Sequence, residues 1–374
     1  MIRKIGVLGG GQLGRMLIQE AINLDVEIYC LDQDSNAPCS KIAHGFTKGA
    51  ITDKDTVLEF ARDFDLLTVE IENVSIEALF ELEANGKSVY PQPRVLELIK
   101  DKGKQKVFYQ MHNIPTPGFK LWEGSSDAEP PLNFPFVQKL RVGGYDGKGV
   151  KVIRNSADWA MRFTEPSVIE ELIPFEKELS VIVARNANGE IKSFGAVECE
   201  FNSEANLVEF QFSPAAISQA IESKAQAIAK DVISKLDMVG LLAVEFFLTQ
   251  DGTLLVNEIA PRPHNSGHHT IECCYSSQFE QHLRAILNLP LGDTSLIVPG
   301  AMLNVLGEKG YEGPAVYEGL DEVLAIPGVY VHLYGKENTK PFRKMGHVTV
   351  LGEQLEEIKT KVAMVKQTLK CVCR

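Results

Sequence analysis

The first hundred residues alternate short apolar runs with amphipathic stretches of helical length. Alternation on this scale predicts a parallel sheet whose strands are joined by crossover helices. The predicted strands are Ile2–Leu8, Glu27–Leu31, Leu66–Glu70 and Ser88–Tyr90. The predicted helices are Gln12–Leu24, Thr56–Asp63, Ser75–Asn85 and Pro93–Ile99.

The rest of the chain mixes α and β patterns less regularly. A charged stretch, Lys100–Lys106, opens a further helix, which the prolines within Ile114–Gly118 end. Short β segments punctuated by Gly and Pro fill residues 295–350, and an amphipathic helix is predicted over Leu355–Leu369. We therefore predict an α/β and α+β chain of three units, at residues 1–100, 101–294 and 295–374.

Two apolar runs, 243–249 and 253–259, flank an Asp-Gly pair, the strongest short-range signal for a β-hairpin. Opposed side chains lie about 4.5–5.5 Å apart, so two carboxylates placed face to face repel each other and need a cation. Hard oxygen ligands beside an Asn favour Mg²⁺. The alternative is an exposed edge hairpin whose acids point to water. With a two-residue turn, the predicted pairs are Phe247–Val256, Phe246–Asn257 and Glu245–Glu258.

Glycines between the first strand and first helix, Gly9-Gly-Gly11-Gln-Leu-Gly14, fit the dinucleotide-binding fingerprint. Asp32 follows at the end of the next strand, where an acid would bind a ribose. A nicotinamide-dependent dehydrogenase is therefore one interpretation. The alternative is a βα turn that needs small residues, and nothing later in the chain resembles a hydride-transfer site.

A second glycine-rich segment runs from Lys139 to Gly149 and carries three cations. Such a loop can offer backbone NH groups and positive charge to a polyphosphate, although it is not a Walker A loop. The strand Glu170–Ile173, followed by Glu178, could present amides to an adenine and a carboxylate to a ribose. A solvated acidic face explains this strand equally well.

Two segments in the second half of the chain suggest anion sites. Prolines on both sides of Arg262 stiffen it beside His264, so this pair could hold a small anion. His264 and His268 have the i, i+4 spacing of a zinc helix, but the Asn-Ser-Gly between them is typical of a turn. Basic residues recur at Lys336 and from Lys340 to His347, either as an anion site or as a solvated turn.

Composition argues against two classes of function and indicates a cellular compartment. The 374 residues carry a net charge of −12, which argues against a general binder of nucleic acids or of anionic membranes. Seven cysteines without a CxxC pair fit a reducing cytosol, and the Cys371–Cys373 tail is expected to fray. Neither a signal segment nor a membrane span is predicted, because no apolar run approaches about 18 residues.

Taken together, these motifs resemble the ATP-grasp ligases and, more closely, the family of 5-(carboxyamino)imidazole ribonucleotide synthases of purine biosynthesis. The resemblance rests on segments spread along almost the whole chain, in the family's order. They are GGGQLGRM (Gly9–Met16), EIENV (Glu70–Val74), GGYDGKG (Gly143–Gly149), NEIAPRPHNSGH (Asn257–His268) and RKMGH (Arg343–His347).

The resemblance implies a Rossmann-like N-terminal domain, a central ATP-grasp domain and a small β-rich C-terminal domain, in a cytoplasmic homodimer. It also implies a reaction in which ATP, bicarbonate and 5-aminoimidazole ribonucleotide give the carboxyamino product, ADP and phosphate. A related ATP-grasp ligase, such as the formate-dependent glycinamide ribonucleotide transformylase, shares the nucleotide site and is the main alternative.

Matching motifs imply the site residues. Mg²⁺ would lie on Glu245 and Glu258, and Arg262, His264 and Lys336 would be catalytic. The expected ATP-binding residues are Lys102, Lys139, Gly144, Tyr145, Asp146, Gly147, Lys148, Gly149, Glu170, Glu171, Leu172, Ile173, Glu178, Phe201, Asn257 and Glu258. The expected residues for the ribonucleotide and bicarbonate are Glu72, Tyr145, Asp146, Lys148, Arg262, His264, Asn265, Ser266, Lys336, Arg343 and Lys344.

Two positions depart from the family pattern. Phe201 stands where the family often has His, and Lys102 stands where it often has Arg. Both departures weaken these two contacts as assigned without changing the expected reaction.

Overall fold

The N-terminal sheet is parallel and has the predicted crossover helices. The structure is a computed structural model that describes residues 4–124, 129–144, 149–201 and 208–374. The strand order is β3-β2-β1-β4-β5. These strands are β1 (Lys4–Leu8), β2 (Glu27–Asp32), β3 (Gly45–Lys48), β4 (Leu66–Val69) and β5 (Ser88–Tyr90). The helices are α1 (Gln12–Asn23), α2 (Lys54–Phe60), α3 (Ile76–Ala84) and α4 (Pro93–Lys100), and a 3-10 turn, Ala61–Asp63, extends α2.

The predicted elements of this sheet are confirmed to within two residues at their described ends, but β3 was missed. Gly45–Lys48 contains a single large apolar residue, Phe46, so it lacks the pattern of a buried strand. Pairing with β2 packs the partly buried Phe46 against the N-terminal core. This strand therefore depends on its neighbour in the sheet rather than on a local hydrophobic pattern.

The glycine-rich loop after β1 lies where the strand order reverses, the usual ligand crevice of such sheets. Its amides, however, already bind carboxylates of the same chain. Gly11 N donates to Glu70 Oε1 at 2.8 Å, Gly14 N to Glu70 Oε2 at 3.0 Å, and Gly10 N to Asp32 Oδ2 at 2.7 Å. A Cβ on Gly11 would lie 2.5 Å from Glu70 Oε1, so the glycine is needed for Glu70 to approach.

A small antiparallel sheet follows the N-terminal unit. Asp101 caps the helix that precedes the sheet by accepting hydrogen bonds from Gly103 N and Lys104 N. The strand order is β6-β9-β7-β8. The elements are α5 (Lys102–Met111), β6 (Phe119–Trp122), β7 (Phe136–Leu140), β8 (Val150–Ile153), α6 (Ser156–Ala160) and β9 (Ser167–Glu171).

The largest sheet runs from the middle of the chain into its C-terminal part. Among the described residues its order is β15-β14-β10-β12-β13-β16-β20-β18, with β11 beside β10. Because β13 pairs with β16, the sheet continues across residue 294. Its strands are β10 (Phe175–Arg185), β11 (Ile191–Ser193), β12 (Val197–Phe201), β13 (Val208–Ser213), β14 (Gly240–Thr249), β15 (Leu254–Ala260), β16 (Gly300–Leu306), β18 (Val329–Leu333) and β20 (Lys344–Leu351).

Helices cover this sheet, and the chain ends in a further small sheet of order β19-β17-β21. The helices are α7 (Gln219–Lys235), a 3-10 turn at Asn265–Gly267, α8 (Thr270–Cys273), α9 (Gln278–Ile286), α10 (Leu320–Leu324) and α11 (Leu355–Thr368). The strands are β17 (Gly313–Glu318), β19 (Asn338–Thr339) and β21 (Lys370–Cys373).

The predicted fraying of the C-terminal tail is wrong. Cys371 pairs with Tyr317 on β17 and is fully buried. The tail is ordered because it forms β21 along the edge of β17. The predicted final helix is confirmed as α11. In the described ranges, no helix combines the length and the apolar character needed to cross a membrane.

Helix α9 connects the large sheet to the N-terminal unit. Phe279, Leu283 and Ile286 are buried in the same apolar cluster as Leu13 and Leu17 of α1. Burying an apolar side chain of this size stabilises the fold by about 1.5–3 kcal/mol. The start of α9 is therefore held firmly between the two units.

We predict that NADH and NADPH do not bind at the glycine-rich loop, because Glu70 and Asp32 occupy the amides that a pyrophosphate needs. Fluorescence titration of both nucleotides measures this. Micromolar binding of either one would revive the dehydrogenase interpretation.

Candidate active site

The hairpin β14–β15 places Glu245 opposite Glu258, as predicted, but by a different route. The loop has three residues, so Leu248 pairs with Leu254, and Gly252 adopts a left-handed φ of 80°. The register then shifts by one residue between Glu245 and its neighbour. The predicted pairs Phe247–Val256 and Phe246–Asn257 are wrong, because the longer loop displaces them and a β-bulge restores the outer pair.

The β-bulge leaves Asn257 as the extra residue of β15, next to Glu258. Bulges re-aim side chains and are common beside active sites. Here both neighbouring side chains meet lysines: Lys139 Nζ donates to Asn257 Oδ1 at 2.7 Å, and Lys102 Nζ contacts Glu258 Oε1. The acids therefore do not simply point to water.

The surroundings shift the pKa values of the two opposed carboxylates in opposite directions. Burial alone would raise the pKa of Glu258, but Lys102 and Lys139 outweigh it and hold the pKa below its usual value. Burial, together with the charges of Glu258 and Glu178, raises the pKa of Glu245 to about 7. Burial also raises the pKa of Glu178, on the neighbouring β10, to about 7. The lysines thus outweigh burial at Glu258 but not at Glu245.

This donor set fits Mg²⁺. Two carboxylates and the Asn257 amide oxygen are hard ligands, and a bound cation would offset both the burial and the neighbouring charges that raise the pKa of Glu245. Among the described residues, no group of three or more His, Cys, Asp or Glu side chains is placed to hold a metal ion. Mg²⁺ bound by one or two carboxylates usually takes its remaining ligands from water and substrate phosphates.

Lys139 also belongs to a buried ion network with Glu170 and Lys106. Glu170, with 2% of its side chain exposed, pairs with Lys106 Nζ at 3.1 Å and Lys139 Nζ at 2.9 Å. Both lysines outweigh burial and lower the pKa of Glu170. The interpretation of Glu170 as a solvated acid is therefore wrong, since β9 turns it inwards and leaves Glu171 exposed.

The remaining expected ATP residues surround this network less closely. Leu172 is exposed and Ile173 half-buried, just after β9. Gly149 closes the β7–β8 connection, where Leu140 N donates to Gly149 O at 2.8 Å, and Gly144 lies at its other end. Tyr145, Asp146, Gly147 and Lys148 lie outside the described residues, and Phe201 ends β12.

A second group of polar side chains follows β15. Arg262 Nε pairs with Glu72 Oε1 at 2.9 Å, which ties the loop to the N-terminal unit. His264 Nε2 lies 3.7 Å from Glu245 Oε1, so this loop and the hairpin acids share one site. Burial, with Arg262 and Lys344 nearby, lowers the pKa of His264 to about 3, so the ring is neutral at pH 7.

The zinc hypothesis is not supported by this geometry. Residues 265–267 form a 3-10 turn rather than a helix, so His264 and His268 do not share a helix face. His264 Nδ1 bonds Ser266 Oγ at 2.9 Å, and His268 Nδ1 bonds Gln278 Nε2 at 3.0 Å.

The basic C-terminal residues lie on the connection from β18 to β20 and on the first residue of β20. Lys336 Nζ donates to Lys344 O at 2.7 Å, and Arg343 Nη1 donates to Asn338 O at 2.6 Å. Asn265 reaches this part of the sheet, because its amide exchanges two hydrogen bonds of 2.9 Å with Asn304 on β16.

Comparison with known proteins agrees with this arrangement. Family models match a ribonucleotide synthetase preATP-grasp domain at residues 2–100, an ATP-grasp domain at 107–279 and a phosphoribosylaminoimidazole carboxylase C-terminal domain at 300–361. The N5-carboxyaminoimidazole ribonucleotide synthase of Synechococcus elongatus is 36% identical over 98% of this chain and 95% of its own length. The chain belongs to the N5-carboxyaminoimidazole ribonucleotide synthase family.

Other members of the family show the same likeness. The synthetase structure from Thermotoga maritima has 40% identity and a TM-score of 0.91, and the match covers 100% of both chains. The Aspergillus clavatus synthase, in complex with ADP and 5-aminoimidazole ribonucleotide, has 33% identity and a TM-score of 0.87 over 98% of each chain. The chloroplastic phosphoribosylaminoimidazole carboxylase of Vigna aconitifolia is 38% identical over 96% of this chain, which spans 66% of that protein.

These relatives confirm the predicted family, the fold class and the prediction of an ATP-grasp ligase. Within this synthase fold, reasoning from the sequence missed Lys106 and Gln278. The four-residue spacing from Lys102 to Lys106 on one helix face could have indicated the first. Nothing local marks Gln278, because its role depends on where α9 packs.

We predict that Lys106→Met destabilises the fold by about 3 kcal/mol, because it leaves Glu170 buried with one cation instead of two. The double variant Lys106→Met/Glu170→Gln should be less destabilised than Lys106→Met, since the uncompensated charge is removed. Urea unfolding measures both. Equal losses in the two variants would show that the ion pair does not carry the effect.

Proposed function

We propose that this chain carries out the reaction of its family, the ATP-dependent carboxylation of 5-aminoimidazole ribonucleotide by bicarbonate in purine biosynthesis. The observation that carries the proposal is the pairing of Glu245 with Glu258 within reach of His264 on one side and the lysines on the other. This arrangement can hold an ATP–Mg²⁺ complex next to an anion site.

The nucleotide is assigned to the cleft between the small antiparallel sheet and the hairpin. Lys102 and Lys139, already oriented by Glu258 and Asn257, supply positive charge for the phosphates. Adenine and ribose are assigned to the strand end Glu170–Ile173 and to Glu178, with Phe201 nearby. The amides and side chains of Gly144–Gly149 complete the assignment on the family pattern alone.

Mg²⁺ is assigned to Glu245 and Glu258. When bound, it neutralises phosphate charge and orients the phosphoryl group for transfer. Lys102 contacts Glu258, so the lysine would have to share this carboxylate with the metal or move away from it. Its flexible stem allows this without moving the backbone.

Bicarbonate is a poor electrophile and therefore needs activation by ATP. A bicarbonate oxygen attacks the terminal phosphorus, ADP leaves, and the carboxyphosphate that results is attacked by the amine of the ribonucleotide. A carbon–nitrogen bond forms, phosphate leaves and the amine loses a proton. Arg262 and neutral His264 are assigned to the bicarbonate, where they can donate hydrogen bonds to the developing charge.

The ribonucleotide is assigned to the face shared by the N-terminal unit and the basic segment. Its phosphate is placed on Lys336, Arg343 and Lys344, and its ribose near Glu72. Lys336 is also assigned a catalytic role. The family pattern adds Tyr145, Asp146, Lys148, Asn265 and Ser266 to this site.

Three broader assignments accompany the reaction. The domains are proposed at residues 1–100, 101–294 and 295–374, in line with the successive family models. A homodimer is proposed from the family resemblance. A cytoplasmic location is proposed because all seven cysteines are free.

The reaction is tested by measuring ADP release from ATP with each substrate omitted in turn. We expect full turnover only with both bicarbonate and 5-aminoimidazole ribonucleotide. Turnover with formate and glycinamide ribonucleotide in their place would instead indicate the transformylase.

We predict that Glu258→Gln nearly abolishes ADP release while the fold remains intact, because Mg²⁺ loses one of two carboxylates. Thermal melting with and without Mg-ATP and the ADP assay measure this. Glu176→Gln, an exposed acid on β10, is the control and should behave as wild type. The metal assignment is wrong if Glu258→Gln keeps both its activity and its Mg-ATP stabilisation.

We predict that Arg343→Ala raises the KM for the ribonucleotide by roughly ten- to a hundredfold, because a charge-assisted bond to phosphate is worth about 1.5–3 kcal/mol. The KM for ATP should barely change. Lys340→Ala, which removes an exposed cation from the same connection, is the control. A mutant that loses ATP affinity and keeps its ribonucleotide KM would move Arg343 to the nucleotide site.

A further inference from the structure

Gln278 is a fully buried side chain that fastens the backbone of His264. Its Oε1 accepts a hydrogen bond from His264 N at 2.8 Å, and its Nε2 donates to His264 O at 2.7 Å. The second Nε2 hydrogen reaches His268 Nδ1, 3.0 Å away. Both amide hydrogens and the oxygen of Gln278 therefore bind the same loop. The two bonds to the His264 backbone resemble those that a paired β-strand would make.

The loop is shaped to receive this amide. A Cβ on Gly267 would lie 2.4 Å from Gln278 Oε1, so the turn after His264 leaves room only for glycine. On the other side, Gln278 is the first residue of α9, whose apolar face is buried against α1. The clamp therefore joins His264 to an element that packing holds in place.

The ring of His264 is held separately from its backbone. Ser266 N donates to His264 Nδ1, so that nitrogen carries the lone pair and the proton lies on Nε2. Ser266 Oγ lies 2.9 Å from the same Nδ1, and Ser180 Oγ lies 2.7 Å from Ser266 Oγ. With both hydroxyls donating towards Nδ1, the remaining ring donor is Nε2–H, which lies beside Glu245, with Nε2 3.7 Å from Glu245 Oε1.

We propose that Gln278 is a positioning residue for the reaction, and that with the Ser180–Ser266 pair it holds His264 as an Nε2–H donor at the bicarbonate site. Gln278 and Ser180 act through His264 and do not touch substrate. The inference rests on the role proposed for His264. A small displacement of a catalytic group can lower the rate a hundredfold, so a rigid clamp at this loop has a direct effect on kcat.

The chain supplies a matched control on the same helix. Gln281 is also fully buried, and its amide clamps the backbone of Gly292 in the same two-bond manner, at 2.7 Å and 3.1 Å. Gln278→Met and Gln281→Met therefore each remove a two-bond clamp on a backbone segment, and Gln278→Met also removes the bond to His268. Only Gln278→Met releases His264.

ADP release under saturating substrates gives the test. We expect Gln278→Met to lower kcat by roughly 10- to 100-fold with the KM for ATP within about twofold, and Gln281→Met to keep kcat within about twofold. Adding Gln278→Met to His264→Ala should cause no further loss, because the clamp then has nothing to position.

Three results would overturn the inference: an unchanged kcat in Gln278→Met, an equal loss in Gln281→Met, or a further loss on top of His264→Ala. If Gln278→Met does not fold, Ser180→Ala replaces it, alone and combined with His264→Ala. We expect Ser180→Ala alone to lower kcat by about fivefold or more. A normal kcat in His264→Ala alone would instead overturn the proposed role of His264, and this inference with it.

Discussion

Two carboxylates that face each other on adjacent strands repel each other unless a nearby cation or a proton reduces their charge. Glu245 and Glu258 face each other in this way, and the surrounding side chains reduce their mutual repulsion. One acid is paired with a lysine and stays ionised, whereas the pKa of the other rises to about 7. The charge that remains unbalanced is the reason for which we propose a divalent cation, bound together with phosphates, at this site.

The lysines near these two acids are themselves held by further polar contacts. Lys139 is held between Asn257 and Glu170, and Glu170 in turn depends on Lys106. Burial lowers the pKa of Lys106 to about 8, partly offset by Glu170, so this lysine is tolerated only because its carboxylate partner is buried with it. Such a network is costly to break at any member.

The N-terminal unit shows how the same local chemistry can serve a different purpose. A glycine-rich loop at the reversal point of a parallel sheet normally offers its amides to a phosphate. Here Glu70 and Asp32 take those amides, and the loop becomes an internal anchor. Besides the ribose contact proposed for Glu72, the unit supports the site through the pairing of Glu72 with Arg262 and the packing of α1 against α9.

The sequence by itself determined the family and the N-terminal elements other than β3, whereas the roles of the candidate site residues stay predictions. Hydrophobic periodicity sets α1 and β1 locally, and an Asp-Gly pair between apolar runs specifies a hairpin whatever surrounds it. The pairing of Glu245 with Glu258 was also correct, although the inner pairs were not, because a three-residue loop and a bulge at Asn257 shift the register twice.

Only the tertiary structure decided which polar groups meet. Strand pairing turns Glu170 inwards and makes strands of β3 and of the C-terminal tail. In the N-terminal sheet, Glu70 accepts hydrogen bonds from amides of the glycine-rich loop. The role of Gln278 depends on the packing of α9 against α1, which joins residues more than 250 positions apart. Such contacts are settled by the packing of whole elements, so no local pattern in the chain records them.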